Sequence, residues 1–243
     1  KKEAAESIAV GYLHSYVNPA HELKTREILK QHRPDLDVSI SSEVAPEIRE
    51  YERFSTTVCN AYVQPLMASY LGKIKAGLEG KDIKSPFLLI TSGGGLTTLE
   101  TASKFPIRLV ESGPAGGAIL ASKVSSQIGS NASLSFDMGG TTAKLCLIDS
   151  SEPRISRQFE VDRSYRFKKG SGLPLKIPVI EMLEIGAGGG SIAHVDKMDR
   201  IKVGPESAGS SPGPACYDLG GNQPTVTDAD LLQGKMVIKN FPF

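Results

Sequence analysis

The amino-acid sequence predicts an α/β fold with a mixed sheet, flanking helices and β-hairpins. Three observations favour this class. Short apolar runs alternate with helical patterns over the first half of the chain, which is typical of strands and helices in a largely parallel sheet. Most of the 25 glycines gather in short clusters, several of them where an apolar run ends. After Asn131, apolar runs come in pairs separated by turn residues, and such pairs predict hairpins.

The first half is predicted to alternate between strands and helices. Leu23, Ile28 and Leu29 recur at helical spacing in the first helix. Pro65 is expected to kink or break the second helix because proline has no N–H to donate. The predicted helices are 20–32, 47–80, 96–105 and 113–129, and the predicted strands are 7–17, 37–44, 86–95 and 107–112.

The second half is predicted to consist mainly of hairpins. "SLSFDMGGTTAKLCLID" (133–149) and "GSIAHVDKMDRIKVG" (190–204) each read as two strands and a turn. The segments 154–162 and 173–186 are predicted to be further strands.

Composition excludes several classes of protein. The chain has 243 residues, 40% of them hydrophobic, and a formal net charge of +1, so no nucleic-acid or membrane-surface partner is indicated. No apolar run approaches the roughly 20 residues that span a bilayer. The three cysteines are widely spaced and odd in number, which favours a reducing, cytoplasmic setting over a disulfide framework. Because the chain opens on Lys1 in what resembles the end of a helix, we expect an internal fragment of a longer protein.

The turn of the first hairpin carries residues suited to holding a phosphate. Gly139 and Gly140 allow a tight turn whose backbone N–H groups form a concave anion site, and Thr141 and Thr142 add hydroxyl donors. Asp137 would repel a phosphate unless a cation lay between them, so it implies Mg²⁺, held directly or through water. Asp137 could instead orient the group that attacks the terminal phosphate.

A tight hairpin without a ligand is the alternative interpretation, since paired glycines are common in turns. The combination of one acid, two glycines and two threonines between apolar strands favours phosphate. The segment is not a Walker A loop, because G-x-x-x-x-G-K-[ST] occurs nowhere in the chain.

The hairpin resembles the phosphate-binding hairpin of actin-like ATPases. The segments around it narrow the resemblance to the hydantoinase A/5-oxoprolinase family, over nearly the whole chain and in the same order. These segments are "HSYVNPAHE", "SSEVAPEIREYERFSTTVCNAYVQP", "ESGPAGGAILA", "EIGAGGGSIA", "VGPESAGSSPGPACY" and "PTVTDADLLQGK". By this resemblance, residues 1–56 are the end of an N-terminal domain and residues 57–243 the beginning of the hydantoinase A domain.

The resemblance implies a ribonuclease H-like, actin-type ATPase fold and the cofactors ATP and Mg²⁺. It also implies part of an ATP-dependent cyclic amide hydrolase that activates the ring carbonyl by phosphorylation, working with a hydantoinase B-type subunit or fused domain. Two alternatives stay open. One is a subunit of an acetone carboxylase-like enzyme, and the other is an inactive nucleotide-binding or structural fragment, since the family's first phosphate loop has no counterpart here.

One residue departs from the family pattern. Many members have Thr-Asp where this chain has Ala143-Lys144. Lys144 is therefore expected to neutralise phosphate charge, or to mark a subgroup with weaker metal dependence or altered chemistry. The departure leaves the identity of the cyclic amide open.

Other clusters have both a functional and a structural interpretation. The run containing Gly188, Gly189 and Gly190 is expected to contact adenosine, with a tight turn as the alternative, and the glycines at 93–95 carry the same two interpretations. The glycines at 113–117 fit either an anion at a helix start or close packing.

The other candidate side chains are expected to have structural roles. Such roles are favoured over metal binding by His14, His21 and Glu22, and over a nucleophilic role for Cys216. The segment 227–230 is expected to cap a helix through Thr227 or Asp228, in preference to presenting Asp228 and Asp230 to a metal.

Overall fold

The computed structural model describes residues 5–165, 168 and 170–237. Its helices are α1 (Ala20–His32), α2 (Ser41–Val44), α3 (Glu50–Glu79), α4 (Leu99–Lys104), α5 (Ser112–Gln127) and α6 (Val226–Leu232). Its strands are β1 (Ser7–Val10), β2 (Asp37–Ile40), β3 (Leu88–Ile90), β4 (Leu96–Thr98), β5 (Ala132–Met138), β6 (Ala143–Asp149), β7 (Glu152–Pro153), β8 (Ile155–Ser156), β9 (Phe159–Val161), β10 (Leu173–Leu175), β11 (Val179–Ile180), β12 (Leu183–Ile185), β13 (Ser191–Val195) and β14 (Ile201–Ser207).

The strands form several small sheets. β1 and β2 pair in parallel. Every other pairing in the described part of the chain is antiparallel: β3–β4, β8–β11, β9–β10, β13–β14 and the sheet in which β6 is flanked by β5 and β12 and also pairs with β7. The α/β class and both predicted hairpins are confirmed, whereas the expectation of a largely parallel sheet is wrong.

The chain divides into two compact units. The first contains the residues up to Ile119 together with Arg154–Ile180, and the second contains Leu120–Pro153 together with the residues from Glu181 onward. The predicted domain boundary between residues 56 and 57 falls inside α3 and stays a prediction.

Helix α3 buries polar side chains in the first unit. Arg53, Thr57, Asn60 and Gln64 recur at helical spacing and are all buried. Asn60 donates to Ser39 Oγ at 3.0 Å and accepts from the N–H of Ile107 at 3.2 Å. Because each buried polar group needs a partner, these bonds connect α3 specifically to the segments around it.

A buried acid forms the centre of a second polar cluster. The carboxylate of Glu22, in the first turn of α1, accepts from the N–H of Tyr12 at 2.9 Å, from Ser41 Oγ at 2.6 Å and from the N–H of Ser42 at 2.8 Å. The buried Arg53 side chain donates to Ser41 Oγ at 3.1 Å and to the carbonyl of Tyr12 at 2.7 Å. The cluster therefore ties the loop after β1 and the start of α2 to α1 and α3.

Several predicted elements of the first unit are shorter than expected or of another type. The strand predicted over 7–17 ends at Val10, because residues 13–17 form a turn. The strand predicted over 86–95 is confined to β3, whose Leu88 and Ile90 are exposed rather than buried. Residues 96–98 form β4 instead of the start of a helix. The strand predicted over 107–112 is a short 3₁₀ helix, Pro106–Leu109.

The helices of the first unit follow the predictions more closely. Helices α1 and α5 are confirmed at nearly the predicted bounds. Helix α3 runs through Pro65, so the predicted break is wrong. In α1 the exposed residues include Leu23 and Ile28, while Glu22 is buried. No helix in the described residues is long and apolar enough to cross a membrane.

The second unit is organised around the β5–β6 hairpin. On one face of the sheet, Ser133 Oγ lies 2.7 Å from Ser125 Oγ of α5, and Cys146 and Ile148 are buried. On the other face, Leu134 is 54% exposed and Leu147, directly opposite it, is 65% exposed. This sheet is thus covered on one side and presents apolar side chains on the other.

We predict that Glu22→Gln destabilises the chain. The amide nitrogen of glutamine would replace one carboxylate oxygen and face a donor N–H or O–H, so one buried donor would lose its acceptor. The expected loss in the free energy of unfolding at neutral pH is about 1–3 kcal/mol, measured by urea denaturation. The matched control is Glu27→Gln on the same helix. Glu27 is exposed and pairs with Lys24 at 2.8 Å, so its loss is expected to cost below about 0.5 kcal/mol.

The contribution of Glu22 is also expected to depend on pH. Burial alone would raise the pKa of Glu22, but hydrogen bonds from Ser41 and Ser42 outweigh it and the pKa is lowered. The stabilisation is therefore present above the ordinary glutamate pKa, about 4.3, and is lost as the pH falls through the lower folded value. Wild type should lose stability on acidification more steeply than Glu22→Gln; equal slopes would contradict this account.

Candidate functional site

The turn of the β5–β6 hairpin lies at the protein surface. Met138 pairs with Ala143, so residues 139–142 form the turn. The N–H of Gly139 donates across it to the carbonyl of Thr142 at 2.9 Å. Asp137, Gly139, Gly140 and Thr141 are exposed. The predicted phosphate-binding residues therefore lie together, next to open space.

The glycine run after β12 packs against this turn. The N–H of Gly189 donates to the carbonyl of Gly139 at 3.0 Å, and the N–H of Gly190 donates to the carbonyl of Gly140 at 2.7 Å. The N–H of Gly188 donates to Ser191 Oγ at 2.9 Å. All three amide donors of this run are thus engaged within the protein. Adenosine contact by the run stays a prediction.

These bonds fix the direction of the donors in the turn. In a trans peptide unit the C=O and the following N–H point in opposite directions. Because the carbonyls of Gly139 and Gly140 point at the glycine run, the N–H groups of Gly140 and Thr141 point away from it. Neither N–H has an acceptor in the described residues. A Cβ added at Gly140 would meet nothing within 4 Å. The turn thus offers two parallel backbone donors facing an open region, which is an arrangement that binds anions.

Charged side chains alternate across the sheet beside the turn. Asp137 pairs in register with Lys144, and Lys144 pairs with Glu184 of β12. Directly opposite residues place their side chains on the same face of a sheet, so the three form a row of alternating charge. No group of three or more histidines, cysteines or acids within the described residues is arranged to hold a metal. An exposed carboxylate next to the turn, such as that of Asp137, fits Mg²⁺ held chiefly by phosphate oxygens and water.

The family model for hydantoinase/oxoprolinase matches residues 53–243, which is most of the chain. The chain belongs to the hydantoinase/oxoprolinase family. The resemblance stated from the sequence motifs is confirmed.

Relatives of this family member include proteins with and without an assigned activity. This chain is 44% identical to an uncharacterised protein of Methanocaldococcus jannaschii, over 97% of this chain and 35% of the relative. It is 36% identical to the caprolactamase subunit alpha of Pseudomonas jessenii, over 96% of this chain and 32% of the relative. The structure of nucleotide-free acetone carboxylase matches with a TM-score of 0.72 and 28% identity, over 98% of this chain and 32% of the other. The chain thus spans about a third of the length of these proteins.

In this hydantoinase/oxoprolinase chain, the backbone N–H of Cys216 bonds to a residue of the α6 cap. Thr225 caps α6 and forms a capping box with Asp228. Asp228 accepts from the N–H of Cys216 at 2.8 Å and from the N–H of Thr225 at 2.8 Å. Burial of Asp228 would raise its pKa, but hydrogen bonds from Cys216 and Thr225 lower that pKa to about 2. The capping prediction therefore holds only in part, because the cap residue is Thr225, which lies before the segment 227–230, while Asp228 completes the capping box and Thr227 lies within the helix.

The remaining candidates have structural roles in the described residues. Gly94 has a φ of +84° in the β3–β4 turn, which glycine adopts without strain. A Cβ at Gly116 would lie 3.0 Å from Ile90, so this glycine allows close packing of α5. His14 and His21 are exposed, and the Glu22 carboxylate is occupied by donors rather than available to a metal.

Sequence reasoning missed the residues that anchor the glycine run. Ser191 is buried and accepts from Gly188, and the N–H of Thr227 donates to the carbonyl of Gly189 at 2.8 Å. The serine directly after three glycines was the sequence signal available for the first contact. Nothing local in the sequence indicates the second.

We predict that Cys216 reacts slowly with alkylating reagents. Burial, together with the neighbouring Asp228 carboxylate, raises the pKa of the Cys216 thiol to about 11. Only the thiolate is nucleophilic, so alkylation by iodoacetamide at pH 8 should be at least about tenfold slower than for N-acetylcysteine. Peptide-resolved mass spectrometry separates Cys216 from Cys59 and Cys146. A rate that stops increasing with pH below about pH 9 would contradict the raised pKa.

Proposed function

We propose that the turn of the β5–β6 hairpin binds the terminal phosphates of ATP with Mg²⁺. We further propose that the full-length protein uses ATP to activate the carbonyl of a cyclic amide for hydrolysis. The observation that carries the proposal is that the glycine run holds the carbonyls of Gly139 and Gly140, while the exposed residues Gly140 and Thr141 have N–H groups with no acceptor in the described residues. Family membership supports the nucleotide, because the matched caprolactamase and acetone carboxylase structures are both described as ATP-dependent.

Each residue of the turn has a defined role in this proposal. The N–H groups of Gly140 and Thr141 donate to phosphate oxygens, and the hydroxyls of Thr141 and Thr142 add donors. Gly139 keeps the turn compact through its bond to Thr142. Asp137 binds Mg²⁺ directly or through water, or orients the attacking group. Lys144, in register with Asp137, adds positive charge near the phosphates.

ATP, when bound, supplies a phosphoryl group that converts a poorly electrophilic amide carbonyl into one that water can attack. The chain's contribution would be to fix the geometry of the donors that bind the phosphate oxygens in advance, which lowers the cost of organising charge during transfer.

The remaining parts of the proposal concern the whole protein. An actin-type, ribonuclease H-like fold, with a domain boundary near residue 57, is proposed from the motif resemblance. A partner subunit or fused second half of the hydantoinase B type is supported by the caprolactamase relative, which is named as one subunit. A cytoplasmic setting is supported by three free cysteines.

A second function, ATP-dependent carboxylation of a ketone, is supported by the fit to acetone carboxylase over 98% of the chain. The two functions share the nucleotide site and differ in substrate. The full-length protein, with any partner subunit, should be assayed with hydantoins and lactams, and separately with ketones and bicarbonate. Phosphate release stimulated by a cyclic amide supports the first function, and release that requires a ketone with bicarbonate supports the second.

We predict that Asp137→Ala in the full-length protein lowers ATP turnover by about a hundredfold or more. The change removes the carboxylate that directly precedes the turn in sequence. The matched control is Asp149→Ala at the far end of the same hairpin, which is expected to retain turnover. Steady-state phosphate release measures both. Unchanged turnover in Asp137→Ala would remove the basis of the proposed role.

We predict that Gly140→Ala weakens Mg–ATP binding without affecting the fold. The added methyl group would meet no protein atom, yet it would project into the open region beside the donors. The dissociation constant, measured by calorimetry, should rise about tenfold or more. Gly77→Ala, which also adds a methyl group with no neighbour, controls for the glycine replacement itself. Equal affinity in both variants would argue against phosphate at this turn.

A further inference from the structure

We propose that the glycine run Gly188–Gly190 is a positioning element that orients the phosphate turn, rather than a surface that contacts nucleotide. For its nucleotide readout this inference rests on the proposed function. Its structural basis is independent of any ligand.

Two chains of hydrogen bonds cross the run side by side. In the first, the N–H of Gly189 donates to Gly139, while the carbonyl of Gly189 accepts from Thr227 of α6 at 2.8 Å. In the second, the N–H of Gly190 donates to Gly140, while the carbonyl of Gly190 accepts from Ala208 at 2.8 Å. The run therefore connects the turn to α6 and to the segment after β14.

The packing distances explain why these positions are glycine. A Cβ at Gly188 would lie 2.6 Å from the carbonyl carbon and oxygen of Gly140. A Cβ at Gly190 would lie 2.8 Å from Ser207 Oγ and 3.0 Å from the Gly140 oxygen. None of the three positions needs a positive φ. The glycines are thus required because other protein atoms pack closely against the run: the Gly140 backbone at Gly188, and side-chain oxygens at Gly189 and Gly190. This packing leaves the ligand-facing side to residues 140–142.

A consequence is that α6 and the turn are mechanically linked. The direction of the Gly140 and Thr141 donors depends on the Gly139 and Gly140 carbonyls staying on the run. Displacing the run from α6 should therefore rotate the donors away from the open region, without any change in the residues that face the ligand.

Gly189→Ala provides the test, because its clash has a single partner. The added Cβ would lie 2.6 Å from Thr227 Oγ1, and its next neighbours are 3.9 Å or more away. Thr227→Ala removes Oγ1 and makes room for the methyl group. Thr227→Val keeps a methyl group in the same place and serves as the matched control. The three proteins to compare with wild type are Gly189→Ala alone, and Gly189→Ala combined with each Thr227 change, all in the full-length protein.

Two readouts separate this inference from the proposed function. The first is hydrogen exchange of the N–H groups of Gly139 and Gly190, with amides at the far end of the β5–β6 hairpin as the control. We expect about tenfold faster exchange in Gly189→Ala, wild-type exchange with Thr227→Ala, and no recovery with Thr227→Val. The second is the Mg–ATP dissociation constant, which should rise about tenfold and recover in the same pattern.

The outcomes are distinct. If Gly189→Ala with Thr227→Ala folds but neither exchange nor affinity recovers, the positioning role is wrong. If Gly189→Ala alone matches wild type in both readouts, it is also wrong. If exchange follows the expected pattern but wild type does not bind Mg–ATP, the proposed function fails and the positioning role stands. Should Gly189→Ala not fold, the comparison of the two double variants decides.

Discussion

The candidate site depends on one pair of backbone hydrogen bonds, from Gly189 and Gly190 to the carbonyls of Gly139 and Gly140. A four-residue turn at a protein surface has many accessible conformations, and only some of them align adjacent N–H groups. Holding both carbonyls on one side leaves both donors on the other, because a peptide unit is planar and trans. Anion affinity at such a site comes from donors that are already aligned before the ligand arrives. The contact between the two glycine segments provides this alignment in the absence of any ligand.

The hairpin could be predicted because its information is local. Asp137 and the four turn residues are neighbours in sequence, and the alternation of apolar residues on either side fixes a two-stranded pattern. The meeting of this turn with the run at 188–190 could not be predicted, since the two segments are far apart in the chain and each alone is an ordinary glycine turn. For the same reason the sequence indicated that residues 188–190 matter, but not that their amide groups are engaged within the protein.

The first unit shows where hydrophobic patterning fails. Helix α1 was predicted from Leu23, Ile28 and Leu29, and the helix is there, yet its fully buried residue is Glu22. Glu22 and Arg53 share the partners Tyr12 and Ser41, which lie 10 or more residues away from them on other segments, so the spacing of apolar residues within one helix could not reveal them. The segment 107–112 failed for a related reason. Its apolar residues fit a strand, but the N–H of Ile107 is held by Asn60 of α3 in a 3₁₀ turn. Long-range polar contacts therefore account both for the burial of Glu22 and for the 3₁₀ turn at Ile107.

A phosphate site built from main-chain donors would be hard to detect by side-chain mutagenesis. Because every residue except proline carries the same N–H, most replacements of Thr141 would leave its peptide donor in place, and a scan that trims side chains one by one would register only the loss of its hydroxyl. Only removal of the N–H itself, by proline or by an ester in the backbone, would expose its contribution. The donors themselves would stay the same across neutral pH, since an amide N–H has no proton to gain or lose there, so any change in affinity with pH would come from the ligand or from side chains.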